Sequence, residues 1–400
     1  MVNIMVESTT SMLRTWEKIR VYEYMSNLSV DIISRACFQR NYHQREEIFL
    51  KHRTLRHLLC KELITGILGL RDIWRLEKEI DSMILKVVKQ HVKAAYEKDL
   101  LQMTLKGAKN YTDYNALSHK YLIIDNCKNL FFAGHETIAL ATSWCLMLLA
   151  AHPDWQARVR AEVLEICGNK PLDADMLQSM KVLKMVMHEV LRLYPLVLFA
   201  SREAFETIKF KNIVIPKGCH LQIPITYQHQ NPDIWGPDAH KFNPERFSNG
   251  ILEACQPPQA YMPFGMGPNI CVGQHLAMTE VKVILALRLS KFCFSLSPAY
   301  QHSPVYNLVT ILEHAIEDGT TKIEAVEDEM SDKQTTECKV AAEVRSNNGL
   351  IDVAGNRKAL VGAAGNRGTS LARLGVTVYD GCGWESRFIL EVTNDLVDWD

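Results

Sequence analysis

Eleven cysteines stand in this 400-residue chain, yet no two form a C-x-x-C pair and their spacing suggests no disulfide framework. That excludes a zinc ribbon and points to a reducing compartment. An excess of one charge is also missing. Forty-five Lys and Arg face 46 Asp and Glu, for a formal net charge of −1, so nothing draws the chain to nucleic acid or to a bulk anionic surface. No leading run of about 18 or more apolar residues is present, so neither a membrane anchor nor a secretory signal is expected. Repeats are nearly absent: Ala354–Arg357 and Ala364–Arg367 share four residues, too short for a solenoid.

What is present is a large apolar content, 47% of residues, enough to bury a substantial core at this length. Helical runs are expected at Ile73–Lys98, Ser118–Ala151, Pro153–Cys167, Met180–Leu193 and Gln274–Ser290, with short strands over Thr207–Ile225. The most informative stretch is Tyr261-Met262-Pro263-Phe264-Gly265-Met266-Gly267-Pro268-Asn269-Ile270-Cys271-Val272-Gly273-Gln274-His275. Gly265, Gly267 and Gly273 let the backbone lie against a flat ligand and tolerate φ > 0. Cys271 sits just before a helix, where outward N–H groups favour a thiolate. Such a thiolate suits an axial haem iron ligand. A cysteine is otherwise a structural thiol, so the remaining motifs decide.

The loop resembles the haem-binding signature of the cytochrome P450 family, F-x-x-G-x-R-x-C-x-G, with Asn269 in place of the arginine. In the family that arginine pairs with a haem propionate, so this chain lacks one charge-assisted contact, worth about 1.5–3 kcal/mol. Three further motifs follow the family's order. Phe131-Phe132-Ala133-Gly134-His135-Glu136-Thr137 looks like the oxygen-activating part of the family's long central helix. Ala133-Gly134 are small enough for dioxygen, and the Glu136–Thr137 acid–alcohol pair could relay protons. His135 reads as a local hydrogen-bonder. Glu189-Val190-Leu191-Arg192 and Pro244-Glu245-Arg246-Phe247 look like the E-x-x-R and P-E-R-F segments, which implies a buried Glu189–Arg192–Arg246 network. Leu196 through Arg202 looks like the strand that lines the substrate pocket and delivers Arg202 to a propionate.

The resemblance implies a cytochrome P450 fold, mainly α with a small β region, over residues 1–315. It begins in what looks like the middle of the family's fourth long helix, so the anchor and first helices are expected to be missing; Trp16–Arg20 has the spacing of the early W-x-x-x-R motif by coincidence. Residues 316–400 look unrelated to the family. There an acidic run gives way to Ser346-Asn347-Asn348-Gly349 without either periodicity, and poor order is expected.

By the same resemblance, Cys271 ligates the iron of haem b, and Phe264, Gly265, Gly267, Gly273 and Arg202 surround the cofactor. Leu130, Ala133, Leu196 and Phe199 line the substrate side. Electrons come from NADPH through NADPH-cytochrome P450 reductase, at the cytosolic face of the endoplasmic reticulum membrane, although without its anchor this chain would be soluble or peripheral. The wording Phe-Ala-Gly-His-Glu-Thr and Pro-Phe-Gly-x-Gly-Pro-x-Ile-Cys-x-Gly-Gln resembles the plant clan that oxidises gibberellins, brassinosteroids and cytokinins, and the opening residues look most like the gibberellin-oxidising branch. That implies monooxygenation of a small lipophilic terpenoid. Two other readings stay open here: a remnant that binds no haem, and a haem-thiolate isomerase.

Overall fold

A computed structural model describes residues 1–13, 21–38, 47–51, 53–55, 58, 70–93, 116–168, 170–211 and 213–296, with strands at 304–307, 309–312, 323–327, 372–379 and 385–392. Trp16–Arg20 and the two four-residue copies lie outside the described residues. Among the described residues the longer helices are α1 Val2–Leu13, α2 Val21–Phe38, α3 Leu70–Lys93, α4 Ala116–Ala151, α5 Pro153–Cys167, α6 Lys181–Leu193 and α7 Gln274–Leu289. Each of the five helical runs expected from sequence is found, with ends shifted by a few residues.

Helix α4 is the centre. From Ile138 to Ala150 every residue is buried, the mark of a helix that is apolar all round and enclosed by others. Its Ile123–Ala151 part is apolar and long enough to cross a membrane, yet 78% of that apolar window is buried within the protein. Helices α1, α2 and α7 surround it, and Trp144 stacks on Tyr194 with ring centres 4.0 Å apart. A second apolar cluster forms where Ile73, Ile80, Ile84 and Val87 of α3 meet Cys127 and Phe131 of α4. The three-, four- and seven-residue spacings put that α3 stripe on one face.

Polar contacts set the joints between helices. Pro153 opens α5, where a missing N–H costs nothing. Glu162 of α5 then caps α6, accepting the N–H groups of Lys181, Val182 and Leu183 at 2.7–2.9 Å. These are orphan donors at a helix N-terminus, where a carboxylate is also favoured by the dipole.

Strand β1 (Phe199–Glu203) pairs antiparallel with β4 (His220–Pro224), Arg202 opposite Leu221; between them β2 (Ile208–Phe210) and β3 (Ile213–Ile215) form a hairpin. Strand β5 (Phe292–Leu296) follows α7, and β6 (Pro304–Asn307) pairs with β7 (Val309–Leu312). The segment expected to lack order carries β8 (Ile323–Glu327), paired with β5, and a hairpin of β9 (Ala372–Tyr379) and β10 (Glu385–Val392). Both hairpin segments are rich in β-branched and aromatic residues, and Gly381 and Gly383 fall between them in the sequence.

Candidate functional site

The cysteine loop joins the small β region to α7. Gly265 and Gly267 adopt φ of +75° and +70°, which L side chains avoid. A Cβ on Gly265 would also stand 3.2 Å from the Asn269 carbonyl oxygen, so here glycine is required by both conformation and space. The Gly265 N–H donates to Met262 O at 3.0 Å, and the Cys271 N–H donates to Phe264 O at 2.8 Å. These bonds fold the loop back on itself and leave Cys271 exposed, without a disulfide among the described residues. Its Sγ lies 3.8 Å from where a Cβ on Gly273 would be. Phe264 is half-buried. Arg202 spans from β1 to the loop, donating to Ser201 O at 2.8 Å and Met266 O at 3.2 Å.

On α4, the two members of the acid–alcohol pair point different ways, as neighbours about 100° apart on a helix must. Thr137 is half-buried beside exposed Ala133, and its hydroxyl donates to the Ala133 carbonyl at 2.6 Å. Glu136 turns inward. It is 2% exposed, accepts the Tyr22 hydroxyl of α2, and lies 3.4 Å from His135 Nε2. His135 Nδ1 meets Phe131 O at 2.6 Å, the local bond expected of it. Gly134 serves helix packing: a Cβ there would stand 2.9 Å from Ile33 Cδ1 of α2.

Of the four residues expected on the substrate side, Ala133 and Phe199 are exposed. Leu130 and Leu196 are half-buried and pack against the α3–α4 cluster and the main core respectively. A cleft of about 440 Å³ between residues 47–51 and α3, lined by Lys51, Arg75, Lys78 and Glu79 among others, includes none of these residues.

Behind the loop lies a dense polar network. Glu189 and Arg192 are fully buried and form a fork-to-fork pair, with both bonds at 2.7 Å. The remaining Arg192 donors reach His229 O, Ala239 O and Lys241 O at 2.9, 2.6 and 3.2 Å, so all five of its N–H groups are used. Glu189 also accepts the Asn243 N–H at 2.8 Å. Arg246 stands 3.6 Å from Glu189 Oε1, an ion pair rather than a hydrogen bond. Its closer partners are Asp238 Oδ2 and Asp238 O, both at 2.6 Å, and Trp235 O at 2.9 Å. The Arg246 guanidinium holds the Asp238 carboxyl below its usual range, against the opposing effect of partial burial.

Two histidines missed by the sequence reading tie this network to the loop. His229 Nε2 accepts the Met262 N–H at 2.9 Å. His188 Nδ1 and the His188 carbonyl both meet the Tyr261 hydroxyl at 3.0 Å. Burial drives the imidazole of His188 down to about 4 and that of His229 to about 3, with Arg192 adding to the latter. His188 falls within the helical run expected at Met180–Leu193 and His229 within no expected run, and a lone histidine fits many roles.

The donor set fits a haem. The porphyrin supplies four iron ligands itself, so the protein need offer only one soft sulfur, and Cys271 is a free, exposed thiol on a glycine-turned loop. No group of three His, Cys, Asp or Glu positioned for a metal ion is found among the described residues.

A cysteine loop feeding a core helix and backed by a buried Glu–Arg fork, in a fold built on a long central helix, defines the haem-thiolate class. The cytochrome P450 family profile matches residues 1–317, and the chain belongs to that family. It is 44% identical over 330 residues to "Cytochrome P450 714C2" of Oryza sativa subsp. japonica, with 77% of this chain and 63% of that protein covered. It is 40% identical over 346 residues to "Cytochrome P450 714A2" of Arabidopsis thaliana, covering 79% and 66%. The chain thus spans slightly under two thirds of these plant relatives. The solved cytochrome P450DA heme domain matches with a TM-score of 0.70 at 22% identity, over 82% of this chain and 73% of that one, which shows the shared fold.

Proposed function

We propose that this chain carries the haem site of a monooxygenase that inserts one oxygen atom of O2 into a lipophilic terpenoid, gibberellin-like in class. The observation that carries this reading is the free Cys271 thiol on a loop held by backbone bonds to Phe264 and Met262. Bound haem b would supply the iron that activates oxygen, with electrons from NADPH through a reductase at the cytosolic face of the endoplasmic reticulum.

The chain's own residues divide the remaining work. Cys271 Sγ is the iron ligand, Phe264, Gly265, Gly267 and Gly273 cradle the cofactor, and Arg202 takes a propionate. Thr137 keeps oxygen lone pairs available to water because its own proton is committed to Ala133 O. Glu136, buried against Tyr22 and His135, is the group that holds a proton behind it. Leu130, Ala133, Leu196 and Phe199 present apolar surface to the substrate. We take residues 1–315 as the catalytic unit.

The test is the reduced carbon monoxide difference spectrum of the full chain reconstituted with haem. A strongly red-shifted Soret band, lost in Cys271→Ser, is expected. The same band in Cys271→Ser overturns the assignment. Asn269 favours a second reading, in which the chain holds no haem; an absent band in the parent protein would establish it.

A further inference from the structure

We propose that His229 is a positioning residue for Cys271: its unprotonated Nε2 holds the root of the cysteine loop through the Met262 amide, while the Glu189–Arg192 fork holds His229.

The geometry fixes the direction of each bond. Met262 offers only an N–H at 2.9 Å from Nε2, so Nε2 must carry a lone pair and the ring proton must sit on Nδ1. The ring is fully buried. It stacks on Tyr261 at 5.4 Å and meets Trp235 edge-on at 6.3 Å, so it has little room to turn. From the other side, the His229 carbonyl accepts Arg192 Nη1 at 2.9 Å. Glu189, Arg192, His229 and Met262 therefore form one unbroken chain of hydrogen bonds.

From Met262 the chain continues into the loop. The Met262 carbonyl accepts the Gly265 N–H at 3.0 Å, and the Phe264 carbonyl accepts the Cys271 N–H at 2.8 Å. A shift of the Met262 peptide is thereby passed through two backbone bonds to the cysteine. Tyr261, the preceding residue, is fixed independently by His188. The two histidines hold consecutive residues at the point where the chain leaves the core. Burial and the neighbouring Arg192 charge keep His229 neutral, which the tie requires, since a second ring proton would confront the Met262 N–H.

The tie itself is read without reference to haem; its functional sense rests on the haem-thiolate reading of Cys271. The experiment separates the two. His229→Phe keeps the ring and its stacking but removes the acceptor, whereas His229→Gln returns an acceptor to that position. In haem-free protein, site-resolved alkylation of Cys271 by iodoacetamide should change about fivefold in His229→Phe, the factor corresponding to one net hydrogen bond, and return toward the parent rate in His229→Gln. In reconstituted protein, the thiolate-type share of the carbon monoxide Soret band should fall and recover in the same order.

Val159→Ala, which destabilises the distant core of α5, should leave both readings unchanged. If His229→Phe does not fold, His229→Asn takes its place, because that amide is one carbon too short to reach Met262. A parent-like alkylation rate in the acceptor-less variant overturns the proposal, as does a Gln variant that behaves like Phe. A parent protein without any thiolate-type band refutes the haem reading only, and the alkylation comparison still decides the tie.

Discussion

Replacing Arg192 by Met tests the polar network where its geometry is most demanding. Methionine fits the apolar length of the arginine but carries no donor. The substitution strands the Glu189 carboxylate, fully buried and, among the described residues, otherwise bonded only to the Asn243 N–H and the more distant Arg246. It also strands three buried or partly buried carbonyls, those of His229, Ala239 and Lys241. Breaking one side of a buried pair costs about 3–5 kcal/mol, largely the penalty of the charge left behind. Each orphaned acceptor adds about 1–3 kcal/mol where water cannot reach it. The loss should therefore reach at least about 4 kcal/mol, a large part of the 5–15 kcal/mol typical of a domain.

Urea unfolding followed by tryptophan fluorescence is a suitable assay, because the Arg192 guanidinium lies over the Trp235 ring at 5.1 Å. The partner variant Glu189→Gln keeps an oxygen for Asn243 and removes the charge. The double variant should then be less destabilised than the two single costs added together, by about 1–3 kcal/mol of coupling. Additive costs, or an Arg192→Met loss below about 1 kcal/mol, would refute the view that an uncompensated buried charge dominates.

Three further outcomes are expected. Gly265→Ala places a Cβ 3.2 Å from Asn269 O at a φ of +75°, so it should cost about 1–2 kcal/mol in conformation alone, seen as a lower thermal midpoint and weaker haem retention. Below pH 6.5 the unfolded chain protonates His188 and His229 while the folded protein holds them neutral to about 4 and about 3; stability should fall with pH by up to about 1.4 kcal/mol per unit for each group, and urea midpoints between pH 7 and 5 should lose much of that slope in the His188→Gln/His229→Gln variant. Asn269→Arg should slow haem transfer to apomyoglobin by roughly 10- to 150-fold, the equivalent of one charge-assisted contact, with no change in Soret position.

Five of the seven longer helices were legible as long runs, α4 by its unbroken apolar length rather than by a period, whereas α1 and α2 were not expected as helical runs. The loop was legible because glycines and a cysteine leave a spaced pattern. The Glu189–Arg192 pair was legible through the resemblance of its segment to the family's E-x-x-R motif, since the i, i+3 spacing permits a pair but does not single one out. The hierarchy around Arg246 was not, since Asp238 and two carbonyls compete for it at shorter range than Glu189. His229 escaped notice because its ring takes a backbone amide and its own backbone carbonyl takes Arg192, which leave no pattern of paired residue types. Gly134 was assigned to oxygen access, yet its small size is taken up by Ile33. Finding that contact requires knowing that α2 lies against α4, a long-range fact absent from local sequence.

The same distinction bears on Asn269. The loop's shape depends on backbone: two left-handed glycines, the Gly265–Met262 and Cys271–Phe264 bonds, and the Asn269 carbonyl against Gly265. None of these contacts uses the Asn269 side chain, so exchanging the family's arginine for asparagine leaves the turn intact. Arg202 is already drawn to the loop by the carbonyls of Ser201 and Met266, which keeps one guanidinium beside the site. The substitution is thus a change in charge available to a carboxylate-bearing cofactor, while the direction of the cysteine is set by the Glu189–Arg192–His229–Met262 line behind it. Affinity and ligand geometry are separable here because one is carried by side chains at the rim and the other by backbone bonds rooted in the core.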